Sequence, residues 1–338
     1  MRKDFGLLPD GVMASLYTIS CGKLRAEISD LGATLVRLYV PDRKGVLADV
    51  VLGFDRPEDY IASGTFMGAV VGRNANRVKN AAFVMNGKTY RLGENENGNN
   101  LHSGPDYFKD RLWQVVRHGN SEIRLRLDSP NGDQGFPGNA TVEVTYRLCS
   151  SGELQMIYEG ICDRDTVFNL TNHSYFNMAG HDKPQLAMAQ ERILPARFFN
   201  ADDVQSIPTG ELREVAGTPM DFRIPKPIGR DIEQAYDALE LQGGYDHNFE
   251  VFTDPCAILK DPISGRTMAV STDCPGVQFY AGNYLAGETG KDGVCYPKRS
   301  GICLETQYYP DALNHPQWPQ PITKAGERYR SMTRLMFK

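Results

Sequence analysis

The stretch "TVEVTYRLCSSGELQMIYEG", residues 141–160, carries the fold in its pattern. Val142, Val144, Tyr146 and Leu148 alternate with Thr141, Glu143, Thr145 and Arg147. A period of two is that of a strand with one buried face. Ser151-Gly152 then offers a turn, and "ELQMIYEG" resumes the extended run. The reading is a hairpin of two long antiparallel strands.

The same grammar recurs on both sides of it. "IRLRLD" sets Ile123, Leu125 and Leu127 against Arg124, Arg126 and Asp128, and Gly119-Asn120 joins it to "WQVVRH". Asn86-Gly87 separates "AAFVM" from "KTYRL", a strong hairpin signal because both central residues of such a turn need positive φ. Asp261-Pro262 opens another turn ahead of Gly265. Helical signals are confined to "RPEDYIA" (56–62) and "DIEQAYDAL" (231–239), each long enough for one short helix. No 3.6-residue stripe is sustained and strands do not alternate with helices, which excludes a doubly wound α/β sheet. The expected fold is all-β, a large antiparallel β-sandwich with few short helices, with residues 1–338 as one domain. The Pro-rich "DFRIPKPIG" (221–229) reads as a long loop within it.

Composition agrees and narrows the function. Forty-one percent apolar residues suffice for a sizeable core, and 33 glycines with 20 prolines fit many turns. A net charge of −5 lacks the basic footprint of a nucleic-acid binder. No window approaches the run of about 20 apolar residues that spans a membrane. The seven cysteines form no CxxC pair, and free thiols in a reducing cytosol are the expectation. The first residues show no secretory pattern, so a cytoplasmic location is expected.

Five stretches hold more polar residues than alternation requires: "GRNANR" (72–77), "NNLHSG" (99–104), "NLTNHSYFN" (169–177), "YDHNFEV" (245–251) and "GICLETQYYPDA" (301–312). "GVQFYAGNYL" (276–285) is a borderline sixth. Taken alone, each admits a plain structural reading. His173 is either a core histidine held by Asn172 or Ser174, or a proton donor. Glu305 shares a strand face with Cys303 and Gln307 and either meets solvent there or is a costly buried carboxylate that needs a partner. His102 reads as a loop histidine, and Arg77 and Asp246 as a surface ion pair. His118, His181 and His315 have no comparable polar company and are read as surface residues. No local metal-ligand spacing, GxSxG or P-loop is present.

Together and in order, these segments resemble the aldose 1-epimerase (galactose mutarotase) family. The resemblance runs from "GRNANRV" to "GERYRSMTRLMF", nearly the whole chain. It implies the large β-sandwich of that family, and a cofactor-free, metal-free enzyme that interconverts the anomers of an aldose. By similarity, His173 is the acid and Glu305 the base, and Asn76, Arg77, His102, Tyr175, Asp246 and Gln278 hold the sugar. Asn74 and Ser103 depart from the family's usual residues near the implied pocket and leave sugar preference open. The implied partner is a small-molecule aldose, with no nucleic acid or membrane, for a monomer or homodimer.

The chemistry needs such a pair. Opening a pyranose delivers a proton to the ring oxygen and removes one from the C1 hydroxyl. A carboxylate and an imidazole are matched to those tasks near neutral pH. Rival readings are a sugar-binding sandwich without turnover, a glycoside hydrolase using Asp246 and Glu305 as its two carboxylates, and an epimerase of sugar phosphates, which would need further cations.

Overall fold

The computed structural model describes residues 1–338, and its named strands all pair antiparallel. The opening hairpin is Ala140–Cys149 with Glu153–Cys162, in register from Ala140↔Cys162 to Cys149↔Glu153. It lies inside a nine-stranded sheet that begins with Gln114–His118 and Glu122–Ser129 and continues past the hairpin through Arg328–Phe337, Thr267–Thr272 and Ala257–Lys260. Val142, Val144, Tyr146 and Leu148 are buried as the alternation requires. Thr145, expected on the solvent side, is buried as well, between Arg124 and Ile157 on the adjacent strands.

A second sheet of five strands runs in the order Pro208–Glu214, Phe198–Asp202, Asp246–Glu250, Gly276–Tyr280, Cys303–Gln307. The N-terminal strands form a third sheet in simple sequence order, Arg2–Leu7 to Leu47–Asp49. One continuous core joins all three, with Ile19 and Ile28 from the N-terminal sheet, Val144 and Leu335 from the nine-stranded sheet, and Phe249 and Phe279 from the five-stranded one. Non-directional burial of this apolar surface is the main stabilising term.

The turn residues do what their chemistry predicts. Asn86 and Gly87 take φ of 53° and 73° between Ala82–Met85 and Lys88–Arg91. The helix expected at 56–62 forms over Pro57–Ala62. The one expected over 231–239 is displaced to Asp237–Gln242, where Gly243 ends it at φ 63°. Asp231 is the reason: its carboxylate is engaged by Lys226, Arg230 and Gln234, which holds residues 231–235 in turns and bends.

Candidate active site

Three consecutive strands of the five-stranded sheet build the acidic wall, with Gly276–Tyr280 between the strands that carry Asp246 and Glu305. Gln278 pairs directly with Glu305, and Asp246, Tyr280 and Cys303 form the neighbouring row. Period 2 turns these residues to one face, while Phe249, Phe279 and Leu304 on the other face enter the core. All five residues of Cys303–Gln307 are buried, so Glu305 does not meet solvent: it is 2% exposed. It lines a cleft of about 970 Å³. The same cleft receives every residue expected from the sequence: Asn76, Arg77, His102, His173, Tyr175, Asp246, Gln278 and Glu305.

"NLTNHSYFN" forms little regular strand there. Only Thr171–Asn172 pairs as strand, and His173 is fixed by two backbone bonds, His173 N–H to Ala69 O (2.9 Å) and Gly68 N–H to His173 O (3.0 Å). Asn172 and Ser174 do not orient the imidazole either. Asn172 donates to Gly68 O (2.7 Å) and accepts from the Ser174 hydroxyl, so the pair braces the loop backbone. The ring is held by what surrounds it. Cys303 Sγ lies 3.6 Å from Nδ1, and the rings of Tyr175, His102 and Phe66 lie 5.1, 5.5 and 5.9 Å away. Nε2 faces Glu305 Oε1 at 3.7 Å.

His102 arrives from a strained loop. His102, Ser103, Asn76 and Phe66 all have positive φ (53°, 61°, 64° and 58°), a conformation non-glycine residues adopt only where the surroundings enforce it. Asn76 and His102 enforce it on each other: His102 N–H donates to Asn76 O, and Asn76 N–H donates to His102 Nδ1, both at 3.1 Å. An Nδ1 that accepts a hydrogen bond leaves the proton of a neutral imidazole on Nε2. His102, His173 and Glu305 do converge, their ligand-type atoms all within 4.8 Å of one another. Metal-binding histidines, however, donate from the distal nitrogen, and His102 accepts there. His102 therefore presents Nε2–H, a donor, toward the other two.

Arg77 and Asp246 are not partners. Arg77 grips Glu96 through Nε (2.6 Å) and Nη2 (2.9 Å), while Asp246 Oδ1 accepts from Gln278 Nε2 (2.8 Å). Tyr175 donates to Thr65 O (2.9 Å). Asn74 and Ser103 lie behind the cleft, where the Ser103 hydroxyl both donates to Asn74 O and accepts from its N–H at 2.9 Å. These two residues set the spacing of the loops rather than touch the cavity. His181, read as a surface residue, is buried against Tyr296, with Nδ1 2.9 Å from the hydroxyl.

Electrostatics single out the same residues. Burial, then the charge of Asp246, pushes Glu305 well above the carboxylate range, against the pull of Arg77. Burial lowers His173 to about 4 and carries His102 well below the usual imidazole range. Asp246 is raised by burial, and behind it Asp202 is raised to about 8 by burial and by Asp246. Titratable groups displaced together in one cleft mark it as the candidate site. Glu305 Oε2 and Gln278 Oε1 are buried without any hydrogen-bond partner in the protein. Buried acceptors normally have one.

Further residues of the cleft are not singled out by the sequence. Tyr280 and Tyr284 sit inside the polar-rich stretch 276–285 without being marked as site residues. Phe66 and Glu96 line the cleft with no pattern to announce them.

The aldose 1-epimerase family model matches residues 15–336. A galactose mutarotase from Bos taurus is 41% identical over 344 residues, covering 99% of this chain and 98% of that protein. An aldose 1-epimerase from Haemophilus influenzae is 39% identical, covering 98% and 97%. Among solved structures, an aldose epimerase homologue from C. elegans superposes with a TM-score of 0.88 at 29% identity, covering 96% of this chain and 99% of that one.

Proposed function

Because the chain belongs to the aldose 1-epimerase family, we propose that it interconverts the α and β anomers of aldohexoses such as galactose and glucose, with Glu305 as base and His173 as acid. The observation that carries this reading is the pair itself: Nε2 and Oε1, 3.7 Å apart and buried at the base of a cleft, with Glu305 Oε2 left unpartnered. The C1 hydroxyl oxygen and the ring oxygen are both bonded to C1, so the two proton sites are neighbours on the sugar, as the two side chains are in the protein.

Glu305 takes the proton from the C1 hydroxyl while His173 gives one to the ring oxygen. The C1–O5 bond breaks and the aldehyde forms. Rotation about C1–C2 presents the other carbonyl face, and the same two transfers reversed close the ring. No atom is gained or lost. Each acid–base partner of this kind contributes roughly 10²–10⁴ in rate, about 3–5 kcal/mol.

Before sugar binds, burial favours the neutral form of both groups. Sugar hydroxyls donating to the unpartnered Oε2 stabilise the carboxylate form, and a carboxylate 3.7 Å from Nε2 in turn favours protonated His173. His102 Nε2–H, Arg77 and Asp246 fix the remaining hydroxyls, and Tyr175 closes a wall. We read residues 1–338 as one domain, which the span of the family match and the shared core support. A cytoplasmic setting is supported by seven cysteines that are all free. Anomer exchange on freshly dissolved α-D-galactose and α-D-glucose, followed by polarimetry, tests the proposal. No acceleration over the spontaneous rate contradicts it.

A further inference from the structure

The balance of charge in the cleft goes beyond what ring opening of a neutral sugar needs. Five carboxyl residues line it, Asp59, Glu96, Asp246, Glu288 and Glu305, against one cation, Arg77. Two of the acids are neutralised. Arg77 is bidentate to Glu96, and Arg56 is bidentate to Asp59 (3.1 and 2.9 Å). Lys109, behind Phe66, is spent on Asp110 (2.6 Å) and Tyr60 O (3.2 Å). Asp246 and Glu305 inside, and Glu288 at the rim, have no cation of their own. Two of the inner acceptors, Glu305 Oε2 and Gln278 Oε1, are buried and unpartnered on directly opposed residues, next to Asp246. The cleft thus offers several convergent acceptors, net negative charge and no free cation.

We infer that this cleft also takes aldoses bearing a protonated amine, such as 2-amino-2-deoxyhexoses, as substrates, and turns away aldoses that carry a phosphate or carboxylate. The inference rests on the proposed anomerase reading and names its substrate class. An ammonium supplies three donors and a positive charge to acceptors that a hydroxyl serves with one donor, and charge-assisted hydrogen bonds are roughly twice as strong as neutral ones. A cation at this position also favours ionised Glu305, the form the base needs. An anionic substituent finds like charge instead. The ring-opening steps are unchanged, and the amine takes no part in bond making.

The test is anomer-resolved exchange NMR with the intact protein on galactose, glucose, 2-deoxyglucose, glucosamine, glucose 6-phosphate and glucuronate, each corrected for its spontaneous rate. Deoxyglucose separates loss of the 2-hydroxyl from gain of charge. The expected result is a kcat/KM for protonated glucosamine several-fold above that for 2-deoxyglucose, falling with added salt while the glucose value holds. Both anionic sugars should fall at least tenfold below glucose. Glu288→Gln should lower the glucosamine-to-glucose ratio about twofold, since a rim charge acts through screened Coulomb attraction. Glucosamine at or below 2-deoxyglucose, or glucose 6-phosphate turned over as fast as glucose, overturns the inference while leaving galactose turnover and the proposed function standing. Failure of galactose and glucose to exchange fells the proposed function and the inference with it.

Discussion

Lys291 and Glu305 are both ionisable and both hidden, at 0% and 3% side-chain exposure, yet their surroundings are opposite. Lys291 Nζ meets Asp49 Oδ2 (2.5 Å), Val36 O (2.7 Å) and Val51 O (2.8 Å), so all three of its donors are used. Arg37 and the His181–Tyr296 contact extend that network outward. Glu305 has no hydrogen bond on Oε2, a histidine beyond bonding distance on Oε1, and the like charge of Asp246 nearby. A satisfied network holds the fold, and removing one partner exposes the full cost of the other. An unsatisfied one keeps its groups available to a ligand. The difference separates residues that should report in stability from residues that should report in rate.

The largest expected effect is on the rate side. Glu305→Gln and His173→Ala should each cut kcat by about 10²–10⁴, measured by polarimetry, with far-UV circular dichroism unchanged. Next comes the stability side. Lys291→Met leaves Val36 O and Val51 O without their donor and Asp49 with only the more distant Arg37 as cation, and should cost about 3 kcal/mol in urea unfolding, with kcat of the folded fraction within a few-fold of the parent. An inactive but fully stable Lys291→Met protein would break the comparison. Asp246→Asn removes a charged acceptor for sugar hydroxyls and should raise KM roughly tenfold, the value of one hydrogen bond to a charged group of about 1.5 kcal/mol.

The pH dependence follows from the direction of the Glu305 shift. Its folded value is raised, so its contribution to stability is present below the ordinary carboxyl range and is lost as pH climbs toward the folded value. The amide introduced by Glu305→Gln mimics the protonated form at every pH. The melting temperature of that variant relative to the parent should therefore rise as pH increases above about 4.5. The smallest effect is expected for Cys303→Ser, which keeps a hydroxyl against His173 Nδ1 and should change kcat by less than about threefold, the energy of a weak contact.

The same comparison explains what could be read from the chain. Alternation and turn chemistry are local, so Ala140–Cys162 and the Asn86-Gly87 hairpin were legible, as was the sandwich they imply. Glu305 was legible as a residue but not as a position, because pattern alone leaves open which face of its strand is covered. "NLTNHSYFN" announced His173 and concealed its conformation, since its backbone bonds go to residues 68 and 69, about a hundred positions away. Glu96 carried no signal at all: it lies in "GENENGNN" and matters only because Arg77 folds against it. Lys291 was equally silent, being one lysine in a turn until Asp49 is placed beside it.

The most direct measurement is of Glu305→Gln in two assays on one preparation: anomer exchange of α-D-galactose by polarimetry and thermal unfolding at neutral pH. A fall in kcat of at least about a hundredfold, with a melting temperature equal to or above the parent's, is the expected result. A rate within a few-fold of the parent, or a loss of stability like that expected for Lys291→Met, contradicts the account.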